Sequence, residues 1–195
     1  MKKLLLFISC LLFTGLIYAQ TAIPAFKSNA PAADNPFPSI KNYDLILACR
    51  SYDNVAHQLA FNVMVLKAGH WQKLSFKQQA ETVPLSVTEP RLISSAATDT
   101  QCDSLYRKLI AAKLFVIEDD SKLPKCNETL DLVDGRKQLV THAIEEGPED
   151  RIWLITPSKI RYLYYYAPGY FATFCPTNKD RQDVVKIIGL FNKGW

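Results

Sequence analysis

The sequence lacks the short motifs that identify the common classes of enzyme. It has no G-x-S-x-G nucleophile elbow, no H-E-x-x-H zinc helix, no phosphate-binding P-loop and no C-x-x-C redox pair. Each of these motifs holds reacting or ligating groups at a fixed spacing, and without one the sequence offers no candidate reaction. We therefore predict no catalytic residues, no metal site and no cofactor, and we favour a non-catalytic function over an enzyme.

Histidine, the side chain most often used as a general base, is scarce. It occurs only at positions 57, 70 and 142. A general base must lie within hydrogen-bond reach of the proton that it removes, and the spacing of these three places none beside a nucleophile. His70 falls in a predicted tight turn and His142 on a predicted hairpin strand, so surface or capping roles account for both.

A large charge of either sign is also missing. The chain has 23 lysine and arginine residues and 19 acidic ones. The first 19 residues contain two of the lysines and no acid, which leaves 21 basic residues against 19 acidic ones in the rest. So small an excess does not create the basic surface that attracts nucleic acids or acidic membranes. We therefore expect no nucleic-acid partner.

The N-terminus has the three parts of a secretory signal peptide: two lysines, the apolar run 4–18 and the small residue Ala19. An apolar run of about 15 residues is shorter than the roughly 20 that a membrane-spanning helix needs. We predict cleavage after Ala19, with no transmembrane segment in the mature chain. The composition resembles the export signals of Gram-negative bacteria and implies a periplasmic or extracellular location.

Two alternatives to this cleavage stay open. Ile17 is bulkier than the small residue preferred three positions before the cut, which is compatible with residues 1–19 serving as an uncleaved anchor. Cys10 would instead carry a lipid if the chain were processed as a lipoprotein.

After the signal, the chain divides into a leader and one domain. Residues 20–42 are rich in Ala, Pro, Asn and Ser and have little hydrophobic pattern, so we predict a flexible leader. Residues 43–195 suit a single domain that buries about two-thirds of its unfolded surface. The sequence shows no internal repeat.

Four cysteines remain after the signal is removed: Cys49, Cys102, Cys126 and Cys175. In an oxidising compartment, four cysteines without metal-ligand spacing favour two disulfides. Three connectivities are possible. We favour Cys49 with Cys102 and Cys126 with Cys175, because each bridge then closes a loop of about fifty residues and contributes roughly 4 kcal/mol in the chain-entropy model.

The first half of the domain is predicted to form strands and then a helix. Residues 79–97 contain two prolines and are predicted as a long connection, since proline interrupts a central strand. A helix is predicted from about Thr100, with N-capping candidates at 98–103. The strands predicted from apolar runs and alternation are 43–49, 59–67 and 71–77.

The second half adds more strands and a closing helix. Asp134-Gly135 is the strongest hairpin signal, since glycine accepts the positive φ of a primed turn. Asn178 is the predicted cap of a C-terminal helix. The predicted strands, including a short buried one at the start, are 114–117, 129–133, 136–144, 151–156 and 159–167.

Strands outnumber helices, and no strand-helix-strand alternation repeats along the chain. We therefore predict an α+β fold with a single twisted, mainly antiparallel sheet of about six to eight strands. The mid-chain helix and the C-terminal helix are expected to pack on this sheet.

The densest candidate binding feature is a run of aromatic residues near the C-terminus. On the predicted strand 159–167, the alternation of side chains places Tyr162, Tyr164 and Tyr166 on one face. An exposed row of tyrosines would stack on a sugar or on an apolar anchor of a partner. Tyrosine is also an ordinary strand residue, so packing of the row in the sheet is the alternative.

The predicted export, the α+β fold class and the absence of catalytic motifs together favour a small exported binding protein that is stabilised by disulfides. We expect its sheet face or loop 79–97 to contact a protein or glycan. One alternative is an exported hydrolase with a site assembled from distant residues, which a polar pocket holding a histidine and a carboxylate would indicate. Another is an inhibitor of a secreted enzyme, which would present a rigid protruding loop.

Overall fold

The computed structural model of the chain describes residues 22–31, 34–53, 58–79, 91–94 and 98–195. The predicted signal peptide, Cys10 and His57 lie outside these residues. Within them, no helix is long and apolar enough to cross a membrane.

Eight strands and three helices form the described part of the fold. The strands are β1 Leu45–Asp53, β2 Gln58–Lys67, β3 His70–Gln79, β4 Arg91–Ser94, β5 Asn127–Asp131, β6 Lys137–Thr141, β7 Glu149–Thr156 and β8 Lys159–Tyr166. The helices are α1 Asp99–Ala111, α2 Pro168–Phe174 and α3 Lys179–Lys193.

Six strands form one antiparallel sheet in the order β4-β3-β2-β1-β7-β8, and β5 pairs with β6 in a separate hairpin. The predicted α+β class is confirmed, with the central sheet at the low end of the predicted number of strands. β1 lies inside the sheet between β2 and β7. Its residues 45–49 are all buried, because both faces of this part of the strand are covered.

The two faces of the sheet pack against different parts of the chain. One face of the sheet packs against α1 and α3 and forms the first core cluster with them. Leu109 of α1 and Phe191 of α3 are fully buried in this cluster. The opposite face carries a second cluster that includes Val63 and Ile155 and is completed by Phe37, which precedes β1. The helices therefore cover one face only.

The described residues of the predicted leader, 22–31 and 34–42, include several that contact the domain. Phe26 belongs to the first core cluster and Phe37 to the second. The side chain of Asn29 accepts a hydrogen bond from the backbone N–H of Tyr162 and donates one to its carbonyl, both at 2.7 Å. Two isolated phenylalanines anchor a segment whose composition is otherwise polar, so its described part belongs to the folded domain.

Both predicted helix caps are confirmed. The Thr98 side chain accepts a hydrogen bond from the backbone N–H of Gln101 at the start of α1. The Asn178 side chain accepts one from the backbone N–H of Arg181 at the start of α3. Each cap gives a side-chain acceptor to an N–H of the first helical turn, and the Gln101 N–H also bonds to the Thr98 carbonyl at 3.0 Å.

Residues 114–117, predicted as a buried strand, form turns instead. Most of them are buried as expected, but their backbone groups do not join a sheet. The carbonyls of Phe115 and Ile117 accept hydrogen bonds from the guanidinium of Arg161. A side chain thus supplies the donors that a neighbouring strand would have supplied, and the apolar run predicted burial rather than pairing.

The predicted connection 79–97 contains a short strand. Arg91–Ser94 forms β4 and pairs with β3 at the edge of the sheet. Residues 80–90 and 95–97 lie outside the described residues.

The predicted hairpin around Asp134-Gly135 is confirmed as β5 and β6. Gly135 has a φ of 77°, the left-handed conformation that glycine adopts without steric cost. Nearly all side chains described on residues 127–141 are exposed, so the hairpin projects from the domain.

Candidate functional site

A cavity of about 960 Å³ opens at the end of the central sheet that carries the β2–β3 and β7–β8 turns. Its lining includes the buried apolar side chains of Phe26 and Leu66. Ligand cavities of roughly 300–1,000 Å³ are typically apolar with a few convergent polar groups. The polar groups here come from Asp44, His70, Thr156, Ser158 and Lys159.

Within this cavity, His70 is anchored by Asp99, the first residue of α1. Nδ1 of His70 lies 3.0 Å from Oδ2 of Asp99. Oδ1 of Asp99 accepts a hydrogen bond from the backbone N–H of Trp71 at 2.6 Å. The contact with His70, and then the one with Trp71, lowers the pKa of Asp99. His70 is thereby oriented through Nδ1 while its side chain stays 76% exposed.

Asp44 and Lys159 give the cavity one carboxylate and one ammonium group. Oδ2 of Asp44 accepts a hydrogen bond from the backbone N–H of Ala68 at 2.8 Å, which ties the chain just before β1 to the β2–β3 turn. Lys159 begins β8 and is exposed. The cavity therefore combines buried apolar groups with exposed charged ones.

The cavity holds a histidine and a carboxylate, but its one serine does not lie beside the histidine. Ser158 lies in the β7–β8 turn and His70 follows the β2–β3 turn. The strand order puts three strand spacings between these turns, about 14 Å. A nucleophile and its base must approach to about 3 Å. Ser158 and His70 therefore do not form a nucleophile–base pair.

The tyrosine row on β8 is half-buried at each of Tyr162, Tyr164 and Tyr166. Tyr162 packs on Trp153, with ring centroids 5.5 Å apart. The Tyr164 hydroxyl donates to Oε1 of Glu149 at 2.9 Å, and burial together with this bond raises the pKa of Tyr164 to about 12. The Tyr166 hydroxyl hydrogen-bonds to two backbone groups of the loop 144–147. The row is therefore built into the sheet while keeping part of its surface exposed.

Cys126 and Cys175 form a disulfide, the pairing that the sequence analysis favoured. Their Cα atoms lie 5.7 Å apart across a sequence separation of 49. Cys126 directly precedes β5 and Cys175 directly follows α2. The bridge therefore ties the base of the projecting hairpin to the C-terminal helices.

The second predicted disulfide is wrong, because Cys49 and Cys102 are buried free thiols. The hydrogen bond from Trp71 to Asp99 places the start of α1 beside Trp71 on β3. Trp71 pairs with Leu66 of β2, and Leu66 pairs with Leu45 of β1, so Trp71 and Leu45 lie at the same height in the sheet. Cys49 is four residues farther along β1, about 13 Å at the rise of a strand. Cys102 is only one helical turn into α1, whereas bridged Cα atoms lie within about 7 Å.

The Cys49 thiol lies next to a buried acid. The Ser51 hydroxyl donates to Oδ1 of Asp150 at 2.7 Å, and Sγ of Cys49 is 3.9 Å from that hydroxyl. Burial, and then the charge of Asp150, raises the pKa of Cys49. Burial also raises the pKa of Cys102. A raised pKa keeps both thiols protonated, the opposite of a nucleophilic cysteine.

Sequence reasoning missed the groups that the fold assembles from distant strands. Asp44 and Lys159 line one cavity because two hairpin turns lie at the same end of the sheet. Arg50 faces Arg151 across β1 and β7. The only sequence signal for this pair was that a charged residue, Arg50, directly follows an apolar run. The residue that Arg50 faces can be identified only from the strand order. Across the described residues, no group of three or more His, Cys, Asp or Glu is placed to hold a metal ion.

Comparisons with protein-family models, with curated proteins and with solved structures return no match to this chain. Its function is therefore inferred from its own residues.

Proposed function

We propose that the chain is a small exported binding protein, stapled by a disulfide and without catalytic activity, that holds a small amphipathic molecule in the cavity between the two turns. The predicted signal peptide supports export. The Cys126–Cys175 disulfide is compatible with the oxidising compartment to which export leads.

The observation that carries the proposal is the composition of the cavity. Ile23 and Pro24 are half-buried and offer apolar surface beside the buried side chains of Phe26 and Leu66, and covering that surface with a ligand contributes about 25 cal/mol per Å². The charged groups of Asp44 and Lys159 lie on the exposed side, where they would orient the polar end of the ligand. A molecule with an apolar body and one polar group matches both features.

Binding of N-phenyl-1-naphthylamine, an apolar dye that becomes fluorescent out of water, tests the proposal. We expect the unmodified protein to bind the dye and Ser158→Trp to weaken binding at least about tenfold, because the indole would occupy the part of the cavity beside the β7–β8 turn. Ser104→Trp, on the exposed surface of α1, is the matched control and should bind as the unmodified protein does. Failure to bind the dye, or equal binding by both variants, would contradict the proposal.

Turnover assays separate this proposal from the exported hydrolase. The purified protein should show no activity on a panel of simple esters, glycosides and peptides. Activity that disappears in His70→Ala would support the hydrolase instead, since His70 is the histidine that lines the cavity.

The projecting hairpin favours a second candidate, an inhibitor of a secreted enzyme. Val133 is fully exposed near the tip of the hairpin, and Leu139 is largely exposed on β6. The Cys126–Cys175 bridge restrains the base, and a restrained loop loses less entropy when it enters an enzyme cleft. Inhibition of secreted proteases or glycosidases that is lost in Val133→Asp and kept in Ser158→Trp would support this candidate.

A further inference from the structure

Two arginines face each other on the central sheet, at the end away from the cavity. Arg50 of β1 is the register partner of Arg151 of β7, and Arg151 is in turn the register partner of Tyr164 of β8. Register partners lie on the same face with their Cβ atoms about 5 Å apart, and like charges in this position repel each other. The arginine pair, Arg50 and Arg151, therefore concentrates positive charge on one face.

One carboxylate serves both guanidinium groups. Oε2 of Glu149 lies 3.4 Å from Nη2 of Arg50 and 3.2 Å from Nη2 of Arg151. Its other oxygen accepts the hydrogen bond from Tyr164. The Nε atoms of both arginines are buried and have no hydrogen-bond partner within the described part of the chain. Two positive charges thus share one negative charge.

The neighbouring acid, Asp150, forms no ion pair with either arginine among the described residues, although its charge acts on Arg50. Asp150 follows Glu149 in β7, so its side chain points to the opposite face of the sheet. There it accepts the hydrogen bond from Ser51. The face that carries the arginine pair keeps an excess of one positive charge among Arg50, Arg151 and Glu149.

Aromatic rings border the arginine pair. The guanidinium carbon of Arg151 lies 5.8 Å from the ring centre of Tyr164. Two residues farther along on the same face, Trp153 of β7 pairs with Tyr162 of β8, and their rings are in contact. The side chains of Arg151 and Glu149 are 35% and 40% exposed, whereas that of Arg50 is 12% exposed. A ligand approaching from solvent would therefore meet Arg151 and the tyrosine rings first.

We propose that the arginine pair binds the carboxylate of an acidic sugar. The planar guanidinium fork matches a carboxylate, and a second carboxylate brings the charge on this face into balance. The rings of Tyr162 and Tyr164 supply the flat, partly polar surface on which a pyranose packs. This site is separate from the cavity and does not depend on the ligand proposed there.

Calorimetric titration with tetragalacturonate and with its methyl ester tests the inference, because esterification removes the carboxylate charge and leaves the sugar rings unchanged. We expect the acid to bind and the ester to bind at least about tenfold more weakly. Arg151→Gln should weaken binding of the acid by a similar factor. Arg136→Gln, which removes an exposed arginine that is also paired with a carboxylate, should leave it unchanged.

Three results would overturn the inference: no binding of the acid at millimolar concentration, equal binding of acid and ester, or equal losses in Arg151→Gln and Arg136→Gln. A competition experiment adds inorganic phosphate to the complex with the sugar at matched ionic strength. Displacement of the sugar by an equal concentration of phosphate would assign the pair to a free anion instead.

A conservative variant keeps the test independent of folding. Arg151→Lys retains the charge beside Glu149 but loses the bidentate fork, so we expect a native unfolding midpoint and severalfold weaker binding. Binding equal to that of the unmodified protein would overturn the bidentate geometry. Ser158→Trp, which blocks the cavity, should bind the acidic sugar normally, so failure of the cavity proposal and failure of this one give different results.

Discussion

The guanidinium of Arg161 donates a hydrogen bond to the backbone carbonyl of Phe115, with 2.5 Å between nitrogen and oxygen. A second nitrogen of the same group donates to the carbonyl of Ile117. Arg161 is buried in β8, so it joins the central sheet to the turns that follow α1. Arg161 thus binds two carbonyls of residues 114–117, while N–H groups of the same segment bond to the carbonyls of Leu109 and Lys113.

Replacing Arg161 by leucine should destabilise the protein strongly. The variant leaves two buried carbonyls without their donors, and we expect the free energy of unfolding to fall by about 3 kcal/mol. Urea denaturation followed by tryptophan fluorescence measures the change. Arg107→Leu, on the exposed surface of α1, is the control and should change the value by less than about 0.5 kcal/mol. Equal losses in both variants would show that the Arg161 contacts are not stabilising.

The disulfide should account for a large share of the stability. With a sequence separation of 49 between its cysteines, the chain-entropy model gives about 4 kcal/mol for the bridge. We expect the double variant Cys126→Ala, Cys175→Ala to lose about this amount in urea denaturation. Reduction of the unmodified protein with dithiothreitol should lower the unfolding midpoint in the same way. A double variant as stable as the parent would contradict the prediction.

Cys49 and Cys102 should be unreactive until the protein unfolds. Burial raises the pKa of both thiols, which removes the thiolate that reacts with Ellman's reagent. For the chain without residues 1–19, we expect no titratable thiol in buffer and two in guanidinium chloride. Finding none after denaturation would indicate a Cys49–Cys102 bridge. Rapid reaction of the folded protein would show that the thiols are accessible.

Asp150 should make the protein less stable as the pH rises. Burial raises the pKa of Asp150 despite the hydrogen bond from Ser51. The folded state therefore binds this proton more tightly than the unfolded state, and the stability contributed by Asp150 falls as the pH increases from the unfolded value of about 3.9 through the raised folded value. Asp150→Asn keeps an acceptor for Ser51 and removes the charge. Its stability relative to the unmodified protein should increase between pH 3.5 and pH 7.

Urea denaturation across this pH range measures the effect of Asp150. Asp131→Asn, which removes a carboxylate from the exposed hairpin, is the control variant. A constant difference between Asp150→Asn and the unmodified protein at every pH would mean that Asp150 does not carry the titration.

Two glycine substitutions should have opposite effects on stability. A Cβ on Gly147 would lie 2.7 Å from the Cβ of Ala167 and 3.2 Å from the Tyr166 ring. Gly147→Ala should therefore cost about 1–3 kcal/mol. A Cβ on Gly189, inside α3, meets nothing within 4 Å. Gly189→Ala should raise the free energy of unfolding by about 0.5–1 kcal/mol, because alanine loses less entropy in a helix. Thermal unfolding of both variants checks the two signs.

Residues near each other in the chain explain most of what sequence analysis predicted correctly. Thr98 and Asn178 cap helices through contacts three residues away, and Gly135 sets its turn through its own φ. The alternation on β7 and β8 likewise depends only on the local strand period. The same local logic failed at residues 114–117, where an apolar run was predicted as a strand and the distant Arg161 supplies the hydrogen bonds.

The candidate sites were harder to predict, because their members come from different strands. Tyr164 was recognised from the aromatic run, but its partner Glu149 and the facing arginines were not. Nothing in the local sequence indicates that Arg50 and Arg151 share one carboxylate. Likewise, the cavity depends on which ends of the hairpins meet, and hairpin pairing alone does not determine that order.

The sequence by itself determined the α+β class, the hairpin at Asp134-Gly135 and the starts of α1 and α3, because periodicity, capping and turn chemistry act over a few residues. Only the tertiary structure decided that Cys126 pairs with Cys175 while Cys49 and Cys102 stay free. It also decided that Phe26 and Phe37 complete the two cores and that Arg50 faces Arg151. These outcomes depend on strand order and register, which bring together residues as much as a hundred positions apart by burying the two faces of one sheet against different parts of the chain.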